Sequence, residues 1–232
     1  MKIYLIGIND NKEEEDIPEL LEYIDNEYRA GILRYRFLSD RKRSLYGHLL
    51  SRYAIIKERG LKNTEIKILK SEHGKPYVKE REDICYNVSH SGDHVVCVID
   101  SLPVGIDIQE VKKADIMLAE RFFSKEENDF LNLSKEDKTS LFYEMWSLKE
   151  AYIKAVGLGL RIPLDEFAVL RDKDTYSLYV KGIKNDEHFF KRYDILSDYK
   201  LSVCSKADDF AKEVKEVFIE EILQTLDSKL TV

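Results

Sequence analysis

Long apolar runs are missing from this 232-residue chain. None reaches the roughly 18 residues that a membrane-spanning helix requires, so no membrane role is expected. The opening residues, Met1-Lys2-Ile3-Tyr4-Leu5-Ile6-Gly7, hold too short an apolar run for a secretory signal and no small-residue cleavage site. A cytoplasmic location is the expectation. Proline and glycine are scarce, at four and ten, which leaves little room for a long disordered or collagen-like segment. Cysteine is scarcer still. Cys85, Cys97 and Cys204 form no CxxC pair and make an odd number, so neither a disulfide framework nor a cysteine zinc site is expected. Positive charge is also in deficit: 37 Lys and Arg face 44 Asp and Glu, a net −7. Broad nucleic-acid binding needs a cationic surface and is therefore not expected.

What is present is ordinary for a soluble fold: 44% hydrophobic and 35% charged residues. The length suffices for one large domain or two small lobes, each with a core. Charge is unevenly spread. Glu13, Glu14, Glu15 and Asp16 form an acidic run, while Arg29, Arg34, Arg36, Arg41, Lys42 and Arg43 cluster with only Asp40 opposing them. That cluster reads either as a solvated helix face or as a local phosphate-docking patch.

Alternation predicts a strand over 2–9, and Asp16 can cap a helix over 17–24. Ser39 can cap a helix over 40–59 with a Leu45, Leu49, Tyr53, Ile56 stripe, and Gly60 suits its left-handed end. Strands are expected at 66–69, 83–89, 94–100 and 104–109. Ser124 and Glu127 form a capping box. A long helix is expected over 137–156, ended by Gly157. Four β-rich segments follow at 167–172, 177–182, 188–196 and 200–206, then a strand at 213–219 and a helix at 220–228. Without a regular βαβ period the class is α+β, divided near Pro103 into lobes 1–103 and 104–232.

Some residue groups carry chemistry. On a strand, Asp107 and Gln109 share one face while Ile106 and Ile108 share the other. A carboxylate beside an amide oxygen suits magnesium, though an Asp at a strand end also serves as a turn or cap. On a helix, Trp146, Glu150 and Lys154 lie on one stripe, with Lys149 beside Glu150. That set reads as a surface ion pair next to a core tryptophan, or as a polar site. In Tyr86-Asn87-Val88-Ser89-His90-Ser91-Gly92, strand neighbours Ser89 and His90 face opposite ways, which disfavours a Ser-His nucleophile pair. No GxSxG elbow is present. Phosphate binding or a satisfied core histidine both fit. Gly74-Lys75-Pro76 is a turn with a lysine at its tip.

In this order, Gly74-Lys75-Pro76, Asn87-Val88-Ser89-His90-Ser91, Gly105-Ile106-Asp107-Ile108, Arg121-Phe122-Phe123-Ser124 with Glu127, and Trp146-Ser147-Leu148-Lys149-Glu150-Ala151 with Lys154 resemble the Sfp-type phosphopantetheinyl transferases. The resemblance covers nearly the whole chain. It implies two similar α+β lobes with pseudo-twofold symmetry and coenzyme A in a cleft between them. It implies transfer of 4′-phosphopantetheine to a serine of an apo-acyl or peptidyl carrier protein, releasing 3′,5′-ADP, in fatty-acid, nonribosomal peptide or polyketide synthesis. Asp107 and Glu150 match magnesium-binding carboxylates, with Gln109 a third candidate ligand, and Lys154 matches the lysine near the pyrophosphate. Arg43, Ser44, Lys75, Pro76, Ser89 and His90 match coenzyme-contacting positions, alongside Asp107 and Lys154. The catalytic set is Asp107, Glu150 and Lys154, with Glu150 also a candidate base.

Departures from the family pattern matter as much. Many members carry Glu where this chain has Gln109, and lysines for the 3′-phosphate where it has Tyr28 and Gly31. Arg29, Arg34 and Arg36 are the candidate substitutes. The carrier-facing segment is expected over about 112–130, with Lys112, Lys113, Arg121 and Lys125 basic and Met117, Leu118 and Phe122 apolar. A duplicated lobe pair implies a monomer. The rival readings are a binding module that transfers nothing, for which Gln109 speaks, and a nucleotide hydrolase, against which the absent GxxxxGK[ST] loop speaks.

Overall fold

In the computed structural model, which describes residues 1–8, 16–113, 116–173, 175–227 and 230, the chain opens with strand β1 (Lys2–Gly7). Helices α1 (Ile17–Leu21), α2 (Asn26–Leu33) and α3 (Leu38–Arg59) follow. Next come β2 (Ile68–Lys70), β3 (Pro76–Val78), β4 (Cys85–Ser91) and β5 (His94–Asp100). The acidic residues Glu13, Glu14 and Glu15 lie outside the described residues.

Helix α3 is the spine of this part. Leu45, Leu49, Leu50, Tyr53 and Ala54 are buried along it, and Gly60 closes it at φ 66°. Its start differs from the sequence expectation: Phe37 occupies the cap position, and Ser39, inside the first turn, accepts from Arg43 at 3.4 Å. Likewise α1 is short and Asp16 makes no side-chain cap. Helix α2 lacks a sequence signature because only Ile32 of its residues is buried.

The chain continues through β6 (Val104–Glu110), α4 (Leu118–Phe122), α5 (Lys125–Leu133) and α6 (Lys138–Val156). Strands β7 (Phe167–Asp172), β8 (Thr175–Val180), β9 (Ile183–Asn185), β10 (Phe189–Tyr193) and β11 (Tyr199–Ser205) complete this stretch. It ends with β12 (Lys215–Glu216) and α7 (Ile219–Leu226).

Two units result. The first holds Met1–Ser71, Pro76–Ser101 and Ala211–Val232; the second holds Glu72–Lys75 and Leu102–Phe210. The division at Ser101 and Leu102 lies close to Pro103, but the last segment, Ala211–Val232, returns to the first unit, whereas a single boundary at Pro103 assigns it to the second. Two observations explain the return: β12 pairs in parallel with β1, and Val217, Ile219, Ile222 and Leu226 join the same core as α3.

The first unit's sheet has the order β12-β1-β5-β4, with β2-β3 a separate hairpin. In the second unit β10-β11-β6 is antiparallel and β7-β8-β9 forms another small sheet. Helix α6 packs across β6 and β11. Among the described residues no helix is long and apolar enough to cross a membrane.

Candidate active site

The candidate site is built where β6 runs against α6. The two backbones approach closely because residue 105 is glycine: a Cβ there would lie 2.1 Å from the Ala151 carbonyl oxygen and 2.3 Å from the Ala155 nitrogen. Contacts under 3.0 Å to backbone cannot be relieved by a rotamer change, so any side chain at 105 would push β6 off the helix. A second tie joins α6 to the neighbouring strand, the Ser147 and Ser202 hydroxyls meeting at 2.7 Å. Ser202 stands opposite Asp107 in the β6–β11 register.

Strand alternation then delivers Asp107 and Gln109 to one face, as the sequence predicts. Asp107 is only 2% exposed. Its Oδ1 accepts from Lys154 Nζ at 2.6 Å and its Oδ2 from Gln109 Nε2 at 2.8 Å. Glu150 lies on α6 one turn before Lys154. Burial raises the Glu150 pKa, the charge of Asp107 adds to the rise, and Lys154 opposes it. Asp107, Gln109, Glu150 and Lys154 therefore assemble within the second unit.

The donor chemistry fits magnesium. Two carboxylates, Asp107 and Glu150, feel one another's charge, the electrostatic setting that a divalent cation relieves. Turning over the Gln109 amide would present its oxygen instead of its nitrogen to the same space. A cation held by two carboxylates would draw the rest of its shell from phosphate oxygens and water, as magnesium does.

Helix α6 is held by buried charge that sequence reading did not resolve. Lys149, 1% exposed, donates from Nζ to Glu127 Oε2 at 2.5 Å and to the Phe167 carbonyl at 2.6 Å. Burial pulls the Lys149 pKa down while the Glu127 charge resists. Glu127 also accepts the Ser124 amide at 2.8 Å and the Val169 amide at 2.9 Å. The predicted capping box is real, and the same carboxylate welds α5, α6 and β7 together. One turn before Leu148, Glu144 is clamped by Arg171, Arg192 and Tyr176. The capping box was the available signal for Glu127; nothing local announces its partner 22 residues on.

The turn lysine has a different surrounding from the one its sequence suggests. Lys75 Nζ donates to the carbonyls of Lys154 at 2.7 Å, Ala155 at 2.8 Å and Val104 at 3.3 Å. It thereby holds the C-terminal end of α6, where carbonyls lack helical partners. Its side chain lies over Gly157, at φ 79°, where a Cβ would meet Lys75 Cδ at 2.8 Å. Pro76 is the first residue of β3 in the other unit.

Arg43, Ser44, Ser89 and His90 belong to the first unit. Arg43 donates to the Gly92 carbonyl at 3.0 Å and pairs with Asp40 at 2.5 Å. Ser89 is buried and His90 exposed, on opposite faces of β4, so they do not form a catalytic pair. In the expected carrier-facing segment, Met117 and Leu118 are 65% and 44% exposed. Phe122 instead packs edge-on against Trp146 at 5.6 Å. Lys112 pairs with Glu110 at 2.7 Å and Arg121 lies over the Phe122 ring, while Lys113 and Lys125 are exposed.

Comparison with known proteins adds the following. Residues 103–204 match the family described as the 4′-phosphopantetheinyl transferase superfamily. Residues 11–101 match the family described as 4′-phosphopantetheinyl transferase, N-terminal. The chain is 35% identical over 224 residues to the 4′-phosphopantetheinyl transferase Sfp of Bacillus subtilis (strain 168), covering 96% of this chain and 100% of that protein. Against the 4′-phosphopantetheinyl transferase psf-1 of Bacillus pumilus it is 33% identical over 232 residues, covering 98% and 100%.

Proposed function

The chain belongs to the 4′-phosphopantetheinyl transferase superfamily, and on that premise we propose that Asp107, Glu150 and Lys154 carry the transfer of 4′-phosphopantetheine from coenzyme A to a serine of an apo-carrier protein. The observation that carries this reading is the Asp107–Lys154 contact at 2.6 Å beneath the Gly105 crossing, with Glu150 on the same helix. An acidic pair and a cation on rigid elements suit phosphoryl transfer, which needs positioning and charge neutralisation more than covalent help.

In the proposed step the serine hydroxyl oxygen bonds to the β-phosphorus of coenzyme A. The bond from that phosphorus to the bridging oxygen breaks, and 3′,5′-ADP departs with the electron pair. Glu150 takes the serine proton, directly or through a water. Lys154, as a cation, stabilises the charge arriving on the departing α-phosphate. Magnesium held by Asp107 and Glu150, with the Gln109 oxygen as a third donor, would supply charge neutralisation across the diphosphate.

The adenosine end of the coenzyme is assigned to Arg43, Ser44, Ser89 and His90, which the resemblance matches to coenzyme-contacting positions. Lys75 and Pro76 stay in that assignment, although Lys75 would have to give up one of its carbonyl partners to reach a phosphate. The carrier is proposed to engage the 112–130 segment through exposed Met117 and Leu118 and basic Lys113 and Lys125. A cytoplasmic, monomeric enzyme serving acyl or peptidyl carriers is the setting this reading implies.

Release of 3′,5′-ADP, measured with and without apo-carrier, tests the assignment. The wild-type chain should release it only with carrier present. Glu150→Gln should lower turnover about a hundredfold even under saturating magnesium, the range of a lost general base. Undiminished turnover in that variant would remove the base role from Glu150.

A further inference from the structure

Lys75 Nζ donates to three carbonyls, those of Lys154 at 2.7 Å, Ala155 at 2.8 Å and Val104 at 3.3 Å. An ammonium has three N–H donors, so these acceptors match its full donor set. Lys75 and all three acceptors belong to the second unit, although Ser71 and Pro76, on either side of 72–75, belong to the first. Gly74, at φ 85°, makes the turn that delivers the lysine.

The acceptors come from the two elements that carry the candidate site. Val104 opens β6, three residues before Asp107. Lys154 and Ala155 lie in the last turn of α6, whose carbonyls have no partner within the helix and form the negative end of its dipole. Lys154 is therefore held twice, its carbonyl by Lys75 and its ammonium by Asp107 Oδ1 at 2.6 Å. The bridge sits beside the tightest approach of the two backbones, where a Cβ on Gly105 would lie 2.3 Å from the Ala155 nitrogen. Gly157 makes room for the lysine stem, since a Cβ there would meet Lys75 Cδ at 2.8 Å.

We infer that the Lys75 side chain is a positioning residue for the transfer: it locks the end of α6 to the start of β6, and so sets the Lys154 ammonium against Asp107. The inference rests on the proposed function, which gives that pair its role, and it leaves the Lys75 backbone, not the ammonium, for contact with the coenzyme. A phosphate reaching Nζ would strip a helix-end carbonyl of its donor and loosen the element that places Lys154. Positioning of this kind acts within the bound complex, so its loss lowers kcat and leaves coenzyme affinity alone.

Transfer kinetics and titration calorimetry on the full chain separate a positioning role from a binding one. Lys75→Met keeps a stem over Gly157 and removes the three donors. With apo-carrier present, kcat should fall roughly thirtyfold, within the range for displaced catalytic groups. KM for coenzyme A and Kd for 3′,5′-ADP should stay within about twofold of wild type. Hydrogen exchange at the amides of residues 154–157 should quicken about tenfold as the helix end loosens. A weakened Kd for 3′,5′-ADP with kcat intact would make Lys75 a coenzyme ligand and overturn the inference. A lowered melting temperature with kcat unchanged, the mark of a purely structural contact, would overturn it as well. If Lys75→Met loses its melting transition, Gly157→Ala carries the same expectation, because its Cβ would push the lysine stem aside. If the wild type transfers nothing, the transferase reading falls and exchange alone decides the lock: faster exchange in Lys75→Met upholds it, and unchanged exchange overturns it.

Discussion

At position 109 one amide decides how the acidic site is balanced. Gln109 Nε2 donates to Asp107 Oδ2 at 2.8 Å, so a carboxylate in its place would set two negative groups in contact. Their repulsion is relieved by a divalent cation, and affinity rises with the ligands' charge. Gln109→Glu should therefore lower the magnesium concentration for half-maximal transfer by about fivefold. It should also lower the melting temperature measured without magnesium. A magnesium titration that does not move would place residue 109 outside the cation's surroundings. This face was legible in the sequence because period-two alternation fixes which side chains share a side. The surroundings of Lys75 were not legible. Its three acceptors lie on Val104, Lys154 and Ala155, and no local pattern relates a turn to a helix end nearly 80 residues away.

Helix α6 positions Glu150 and Lys154, and its own placement depends on the buried Lys149–Glu127 pair. Lys149→Met would leave the Glu127 carboxylate with two backbone amides but no cation. Breaking a buried pair from one side costs about 3 kcal/mol or more, because the surviving charge stays buried. Denaturant unfolding of Lys149→Met should show a loss of that order, with turnover reduced where the variant remains folded. A loss under about 0.5 kcal/mol, the size typical of surface positions, would contradict the clamp. Among the elements, the ends of α3 and α6 were readable because Gly60 and Gly157 adopt positive φ, at 66° and 79°. The α5 start was readable from its capping box. Helix α2 was not, since it buries only Ile32, and tertiary contacts rather than local propensity hold it.

For the whole molecule, the unexpected feature is the return of the last segment to the first unit. A pattern of alternating and helical residues gives the type of each element but not which sheet it joins, so 213–228 was legible as strand and helix and illegible as a partner of β1. Val217, Ile219, Ile222 and Leu226 are each 1% exposed or less. At about 2 kcal/mol for each buried side chain, their sum rivals the total stability of a typical domain. A chain ending at Phe210 should thus lose the cooperative melting of the first unit, read by circular dichroism and hydrogen exchange over β1 and α3. Full-length melting behaviour in the shortened chain would contradict that dependence. The α+β class and most of the acidic site were visible beforehand, as the interspersed elements and the Asp107, Glu150, Lys154 set attest. That Asp107, Glu150 and Lys154 transfer phosphopantetheine is tested by intact-mass measurement of apo-acyl and apo-peptidyl carriers after incubation with the chain, coenzyme A and magnesium. A phosphopantetheinyl mass gain on a carrier is expected, abolished by EDTA and suppressed by Asp107→Ala and by Lys154→Ala; no gain on any such carrier, or a gain untouched by EDTA and by both substitutions, would contradict the assignment.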